Sequence, residues 1–520
     1  MSLHRNLVAG VASLLLLSAL PSASTARAAD GGTLKVGIAA ETGNLDLLQN
    51  VSTLSSYTAV FDGLLRYGQN GVLEPALATA WSISKDGLSL TFELRKGVKF
   101  SDGTPFNAET AKWNLLRWMG VDDFSWIGVS AAFDKIVIDN PYKLTIKLKR
   151  PVPAAPLEMT IVRPVRFLSP KAVDAKGKQV KPIGTGPWIV KSYDAAQTVL
   201  VRNDAYWGKK PLFAKMELKV VPDEQARVNA LRSGDLDVIG GDWVAQLSPR
   251  RAKMLKGANI QVVAEPGTAA MLLGFSPKSP IMKDKAVRDA IFTGVDRAAI
   301  ASVLFEGFAD TTADVFPKNV PHAAKRHPVP ARNVARAQKY LTDGGWTKSG
   351  SGYTKGGAPL VIDFLVSEES LPGSRRIAEM IQSQLTEIGF QVQISSVDNA
   401  TMHDRRPAFK YDMTFFTSYG APYDPHGTLS SLYFTTGDSG PDGKVYVADE
   451  LDRLVVAALE ASGPARDVKM QAVFDWLYNN TAVCPLVVAQ RLWAVNPRVK
   501  NFKLPATDYD LPFMDMTLAD

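Results

Sequence analysis

The residues best suited to chemistry sit in one loop, Ser418-Tyr419-Gly420-Ala421-Pro422-Tyr423-Asp424-Pro425-His426. Each of its two tyrosines offers a flat face and a hydroxyl, which suits clasping a small polar molecule as well as it suits packing the loop itself. Asp424 reads as a turn-capping residue. A hydrolytic site has less material. Gly437-Asp438-Ser439-Gly440-Pro441 is one glycine short of the nucleophile loop of serine proteases, whose secreted members are normally rich in disulfides, and reads as a turn. No Gly-x-Ser-x-Gly elbow, His-Glu-x-x-His pair or calcium loop occurs. Of the five histidines (His4, His322, His327, His403, His426), none stands at helical ligand spacing from another, which is thin supply for a protein-built metal centre. Lys181 to Trp188, KPIGTGPW, lacks the Gly-Lys-Ser/Thr ending of a phosphate loop, and Pro187 removes an amide.

At 520 residues the chain is long enough for two or three domains, and 46% hydrophobic with 21% charged residues is ordinary for a soluble globular protein. His4 and Arg5 precede an apolar stretch from Leu7 to Leu20, and Ala26-Arg27-Ala28 fits a small-x-small cleavage site. The expectation is a secretory signal over residues 1–28 and no membrane span. Its removal leaves 57 basic against 52 acidic residues, a charge of +5 from the original +7. The excess is spread rather than gathered in runs, which argues against nucleic acid and suits an anionic ligand. The single Cys484, among Ala482, Val483 and Leu486, reads as a buried small hydrophobe. It excludes an internal disulfide and lies too far along for a lipid anchor after the signal. An exported chain of this kind points to the periplasm.

Patterning then supplies the elements. Leu88, Leu90, Phe92 and Leu94 alternate with Ser89, Thr91, Glu93 and Arg95, the period of a half-buried strand. Val98 and Phe100 start a second short strand, broken by Asp102-Gly103-Thr104-Pro105. Asn107 then caps a helix with Glu109 in its first turn and Ala111, Leu115 and Trp118 on one face. Thr33 to Ile38 reads as a strand and Lys135 to Lys149 as a hairpin. Met216 to Val221, Glu224 to Leu231 and Leu236 to Ile239 give strand, helix, strand, which is α/β patterning. Gly267 to Phe275 reads as a crossing strand. Helices follow over Lys285 to Gly294, Arg297 to Phe305 and Ala331 to Leu341. Ile362 to Val366 is a strand, and Ile377, Ile381, Leu385 and Ile388 mark a helix ended by Gly389. Gln391 to Ile394 and Tyr411 to Phe416 are strands, and Ala482 to Val499 returns to the first half. Two lobes joined by crossing segments can close over a ligand.

Pro75-Ala76-Leu77-Ala78, Trp81, Asp86-Gly87, Phe92, Leu94-Arg95, Gly97-Val98-Lys99-Phe100 and Asp102-Gly103-Pro105-Phe106 together resemble the signature of the peptide- and nickel-binding solute receptors of ABC importers, family 5. The resemblance implies an α/β, two-lobed periplasmic-binding-protein fold (type II, or cluster C-like) with an extra subdomain in the first lobe. It would place lobe I at 29–268, with the subdomain at about 75–183, lobe II at 269–488, and a C-terminal return to lobe I at 489–520. The GAPYDPH loop, Arg163-Pro164-Val165-Arg166-Phe167 and the GTGPW segment look most like the nickel-receptor branch. In that branch an arginine grips carboxylates of an organic metal chelate, and Arg163 stands at the matching position. The fork of a guanidinium suits a carboxylate; Arg166 reads as structural. Trp126 matches a ligand-lining tryptophan, Tyr423 matches a tyrosine, and Tyr419 replaces a tryptophan.

The chain departs from that branch twice. Phe434-Thr435-Thr436-Gly437-Asp438 holds no histidine where the branch places its metal ligand, and Asp123 stands for a second arginine. His426 is then the substitute metal ligand, with His403 behind it. The resemblance implies a monomeric receptor that catalyses nothing and has no intrinsic cofactor. It would deliver a nickel chelate to an inner-membrane permease and its ATPase. A short-peptide receptor, in which Asp424 could anchor the amino terminus, is the alternative. A secreted hydrolase acting through Ser439 and a chaperone-like binder are the remote ones.

Overall fold

A computed structural model describes residues 32–49, 53–242, 244–437, 442–511 and 513–519. The expected signal segment and the Asp438-to-Pro441 turn with Ser439 lie outside the described residues.

One mixed sheet of twelve strands runs through the molecule. In its first half, Thr33–Ile38 lies parallel to Lys215–Val220 through six residue pairs, and Gln197–Arg202 and Trp188–Tyr193 extend that side antiparallel. Val238–Gly240 flanks the other side. Leu34, Val36 and Ile38 are fully buried, as a strand inside a sheet demands. In the second half, Val361–Val366 runs parallel to both Gln391–Ser396 and Met413–Thr417, and the last pairs antiparallel with Met271–Phe275. Its helix Ser374–Thr386 buries Ile377, Ile381 and Leu385, the apolar face that the 3.6-residue period marks.

Two segments cross between the halves. Val483–Val495 has 13 residues and spans roughly 43 Å at about 3.3 Å per residue. Its first part pairs with Met271–Phe275, and its last part pairs with Gln261–Pro266 and Val238–Gly240. The second crossing is the chain from Gln261 to Phe275, which changes from one pairing to the other at Gly267. There the Gly267 amide donates to the Ala489 carbonyl at 3.1 Å, and a Cβ at this position would collide with the same oxygen. Glycine is what lets the two crossing backbones touch.

A separate four-stranded antiparallel sheet, in the order Ala78–Ile83, Ser89–Leu94, Lys143–Leu148, Phe133–Asn140, holds the signature region. Leu90, Phe92 and Leu94 point inward onto Phe100, Phe106, Leu115 and Trp118, all buried in one core. The helix Ala108–Leu115 starts with a reciprocal cap. Asn107 accepts from the Thr110 amide at 3.1 Å, and the Thr110 hydroxyl accepts from the Asn107 amide at 3.0 Å. Asn107→Ala is expected to cost about 1 kcal/mol of stability, read as a lowered denaturant midpoint; an unchanged midpoint would mean the cap is dispensable.

Two expectations need correction. Val98 to Phe100 is not a strand. Lys99 pairs with Pro105 alone, flanked by the Phe100 amide donating to the Thr104 carbonyl at 2.8 Å and the Phe106 amide donating to the Val98 carbonyl at 2.9 Å, and the chain then turns into the helix capped by Asn107. Phe100 is instead held by its ring, edge-on to Phe106 at 6.1 Å. Arg297 to Phe305 is not one regular helix either: a turn over Arg297–Ala299 widens into a π-turn at Ile300–Leu304. Cys484 is fully buried, with the Arg297 guanidinium 3.2 Å from its sulfur. Among the described residues no helix is long and apolar enough to cross a membrane.

Candidate ligand-binding cleft

A cleft of about 770 Å³ opens between the two sheet halves. From the first half come Trp126, just after the short turn Asp122–Phe124, and Arg163, in the irregular segment leading to Phe167. The second half supplies three connecting segments. They follow the carboxyl ends of Val361–Val366, Gln391–Ser396 and Met413–Thr417, and contribute Glu369 and Ser370, then Asn399, His403 and Arg406, then Tyr419 and Tyr423. Parallel α/β sheets bind ligands at the carboxyl ends of their strands because the connections there diverge and leave a crevice. Tyr509, from the C-terminal tail, completes the wall.

Three aromatic rings run in series across the junction. Trp126 lies 6.1 Å from Tyr423, and Tyr423 meets Tyr509 edge-on at 5.2 Å and 71°. The Tyr509 hydroxyl donates to the Tyr419 carbonyl at 3.0 Å, so the tail holds the loop. Burial pushes the Tyr423 hydroxyl up to about 12, with Arg163 and Arg166 pulling the other way; it stays protonated, a hydrogen-bond donor at neutral pH.

Arg163 forms no ion pair among the described residues. One Nη donates to the Leu48 carbonyl at 3.2 Å, the guanidinium stands 5.7 Å over the Phe124 ring, and the buried Nε has no partner. Burial lowers its pKa, opposed by Tyr423, Tyr57 and Asp46, though an arginine remains charged. A half-desolvated cation short of acceptors, lining a cleft, is what a ligand carboxylate would complete. Arg166 lies away from the cleft; it is buried, donates to the Thr160 carbonyl at 3.4 Å, and fits only because Gly63 has no side chain.

The structure thus brings together Trp126, Arg163, Tyr419 and Tyr423. It does not bring Asp424 or His426 to the cleft. Asp424 is fully buried and folds back on its own loop, accepting from the Gly420 amide at 2.9 Å and from the Thr428 hydroxyl. Burial raises its pKa to about 6 against those hydrogen bonds. It is the clasp that presents the tyrosines. His426 is 4% exposed and faces inward, with Nε2 4.0 Å from Glu158 and Nδ1 unpartnered. The expected metal ligand is thus not on the cleft wall; among the described residues the imidazole there is that of His403. Among the described residues no three or more histidine, cysteine, aspartate or glutamate side chains are grouped to hold a metal. Sequence reasoning also passed over Arg406, Asp442 and Tyr509.

Two crossing segments, a mixed sheet in two halves and a cleft at the carboxyl strand ends define a two-lobed solute-binding fold. The profile described as "Bacterial extracellular solute-binding proteins, family 5 Middle" matches residues 72–440, and the chain belongs to that family. It is 27% identical over 480 residues to the nickel-binding periplasmic protein of Escherichia coli (strain K12), covering 90% of each chain. The crystal structure of an ABC transporter substrate-binding protein from Sinorhizobium meliloti superposes with a TM-score of 0.84 at 42% identity, over 94% of this chain and 100% of that one. NikA from Brucella suis, in complex with Fe(III)-EDTA, gives 0.86 at 28% identity over 94% and 99%.

Proposed function

We propose that this chain is the periplasmic substrate-binding component of an ABC importer whose cargo is nickel, or a similar divalent metal, already wrapped in a small carboxylate-bearing chelator. Residues 29–268 and 489–520 act as one lobe and 269–488 as the other. They close on the cargo and hand it to an inner-membrane permease driven by an ATPase. The protein works as a monomer and catalyses nothing. The observation that carries the reading is Arg163, a cleft-lining guanidinium with no carboxylate of its own, set beside the faces of Trp126 and Tyr423. The chelator supplies the metal's inner sphere. The nickel-binding relative and the Fe(III)-EDTA complex of the Brucella protein support the same choice.

A short peptide is the second reading, favoured by Glu369 and Asp442 on the cleft wall, either of which offers a carboxylate to an ammonium group. The deciding experiment follows tryptophan fluorescence of the metal-stripped mature protein. Nickel is added alone, then with excess citrate or histidine, and a pool of di- to pentapeptides is titrated in parallel. A saturable response confined to chelated nickel is expected. Silence to every nickel form with saturable peptide binding would overturn the metal assignment.

A further inference from the structure

The second half of the cleft holds another guanidinium whose buried Nε, like that of Arg163, has no hydrogen-bond partner. Arg406 follows the helix Asn399–Arg405, its side chain 11% exposed and its guanidinium stacked on Phe416 at 4.2 Å. Its nearest carboxylate oxygen, Oδ1 of Asp442, is 3.7 Å from Nη1, close enough for Coulomb attraction but beyond a hydrogen bond. The buried Nε has no partner. Gly443, at φ +66°, brings this stretch against the helix end; a Cβ there would sit 2.9 Å from the Arg406 carbonyl group. Asp442 also stands 3.5 Å from the Tyr419 hydroxyl. The adjacent Arg405 shows what a satisfied arginine looks like here. It bonds Asp363 at 2.6 Å and the Lys410 carbonyl at 2.9 Å, turned toward protein. Arg406 is packed in place yet left short of acceptors where it borders the cleft.

We propose that Arg406 is a second anion-binding residue of the cargo site, so that the cargo presents at least two carboxylates, one to Arg163 and one to Arg406. The inference rests on reading the cleft as the cargo site. Because the two arginines belong to opposite sheet halves, a polycarboxylate that reaches both is bound more tightly when the halves are drawn together. That differential affinity drives closure. A complex with a single free carboxylate satisfies one guanidinium and leaves the other desolvated. Asp442 holds Arg406 loosely until cargo arrives and competes with it.

The test compares two chelators built on one backbone, each loaded with nickel and titrated calorimetrically into the metal-stripped protein: ethylenediaminetetraacetate, with four carboxylates, and ethylenediamine-monoacetate, with one. Arg406→Gln is expected to lower affinity for the tetraacetate complex at least tenfold and for the monoacetate complex less than twofold, whereas Arg163→Gln lowers both. Arg406→Lys should recover part of the loss. Asp442→Asn, which removes the resident competitor, should tighten tetraacetate binding severalfold, a gain that misfolding cannot mimic. If Arg406→Gln binds the tetraacetate complex within twofold of the parent, or weakens both complexes equally, the inference falls while the cargo site stands on Arg163. If Arg163→Gln also changes nothing, or the parent protein binds neither complex, the cargo-site reading falls with it.

Discussion

Replacing Arg163 by alanine is expected to weaken binding of citrate-chelated nickel about a hundredfold while leaving the protein folded. The size follows from what the side chain lacks. Its charge is partly desolvated, and among the described residues it has only the Leu48 carbonyl as a hydrogen-bond acceptor. A charge-assisted, bidentate contact to a ligand carboxylate contributes about 1.5–3 kcal/mol. At about 1.4 kcal/mol per tenfold, the upper part of that range is a factor near one hundred. No ion pair among the described residues is broken by the truncation, so the unfolding free energy should change by less than about 1 kcal/mol. Arg163→Lys keeps the charge but loses the fork and should fall between the two. Calorimetric titration of the three proteins with nickel in excess citrate checks this. Binding by Arg163→Ala within threefold of the parent would remove Arg163 from the site.

Much of the fold was legible because its signals are local. The alternation of Leu90, Phe92 and Leu94, the cap at Asn107 and the stripe of Ile377, Ile381 and Leu385 each lie within one or two turns of chain. Val98 to Phe100 misled for the same reason. Its apolar alternation is real, but Phe100 is spent on an aromatic cluster with Phe106 rather than on strand pairing. The site divides differently. Trp126, Arg163, Tyr419 and Tyr423 were found through resemblance, since nothing in their own neighbourhoods separates a ligand-facing side chain from a packed one. Asp424 and His426 have the right chemistry in the right loop, yet the loop needs an internal clasp and a buried anchor, and they fill those roles. Arg405 and Arg406 are identical in type and adjacent in sequence. Both have helical backbone geometry, so their side chains point about 100° apart, one to Asp363 and the other to the cleft wall. One signal could have found Arg406: it follows a strand of the parallel set, at the end where such sheets bind ligands. Tyr509 had no such marker, since the C-terminal tail follows no period.

Acidification from pH 7 to pH 5 is expected to cost the native protein about 2 kcal/mol through His426 alone. Burial, with help from the nearby Arg466 and His322 charges, depresses this imidazole from 6.5 to about 3. Glu158, at 4.0 Å, is too far for a hydrogen bond, and it is already engaged by the amides of Gly128 and Val129 at 3.1 and 2.7 Å. Between pH 3 and 6.5 the unfolded chain therefore binds a proton at His426 that the folded chain refuses, and stability falls as pH falls, by about 1.4 kcal/mol per unit once below 6.5. Asp424 works in the opposite sense. Its folded pKa, about 6, lies above the ordinary 3.8, so the folded chain gains a proton first and stability rises as pH drops through 6. From pH 7 to 5 that returns about 1.3 kcal/mol. The whole-protein curve thus mixes two opposed slopes, and the informative quantity is a difference. In His426→Gln, which cannot titrate, the change in unfolding free energy between pH 7 and pH 5 should be about 2 kcal/mol more favourable than in the parent. In Asp424→Asn it should be about 1 kcal/mol less favourable. Urea denaturation at the two pH values measures both. If His426→Gln tracks the parent at both pH values, His426 titrates alike in the folded and unfolded chain, and its description as a neutral buried anchor beneath the binding loop is wrong.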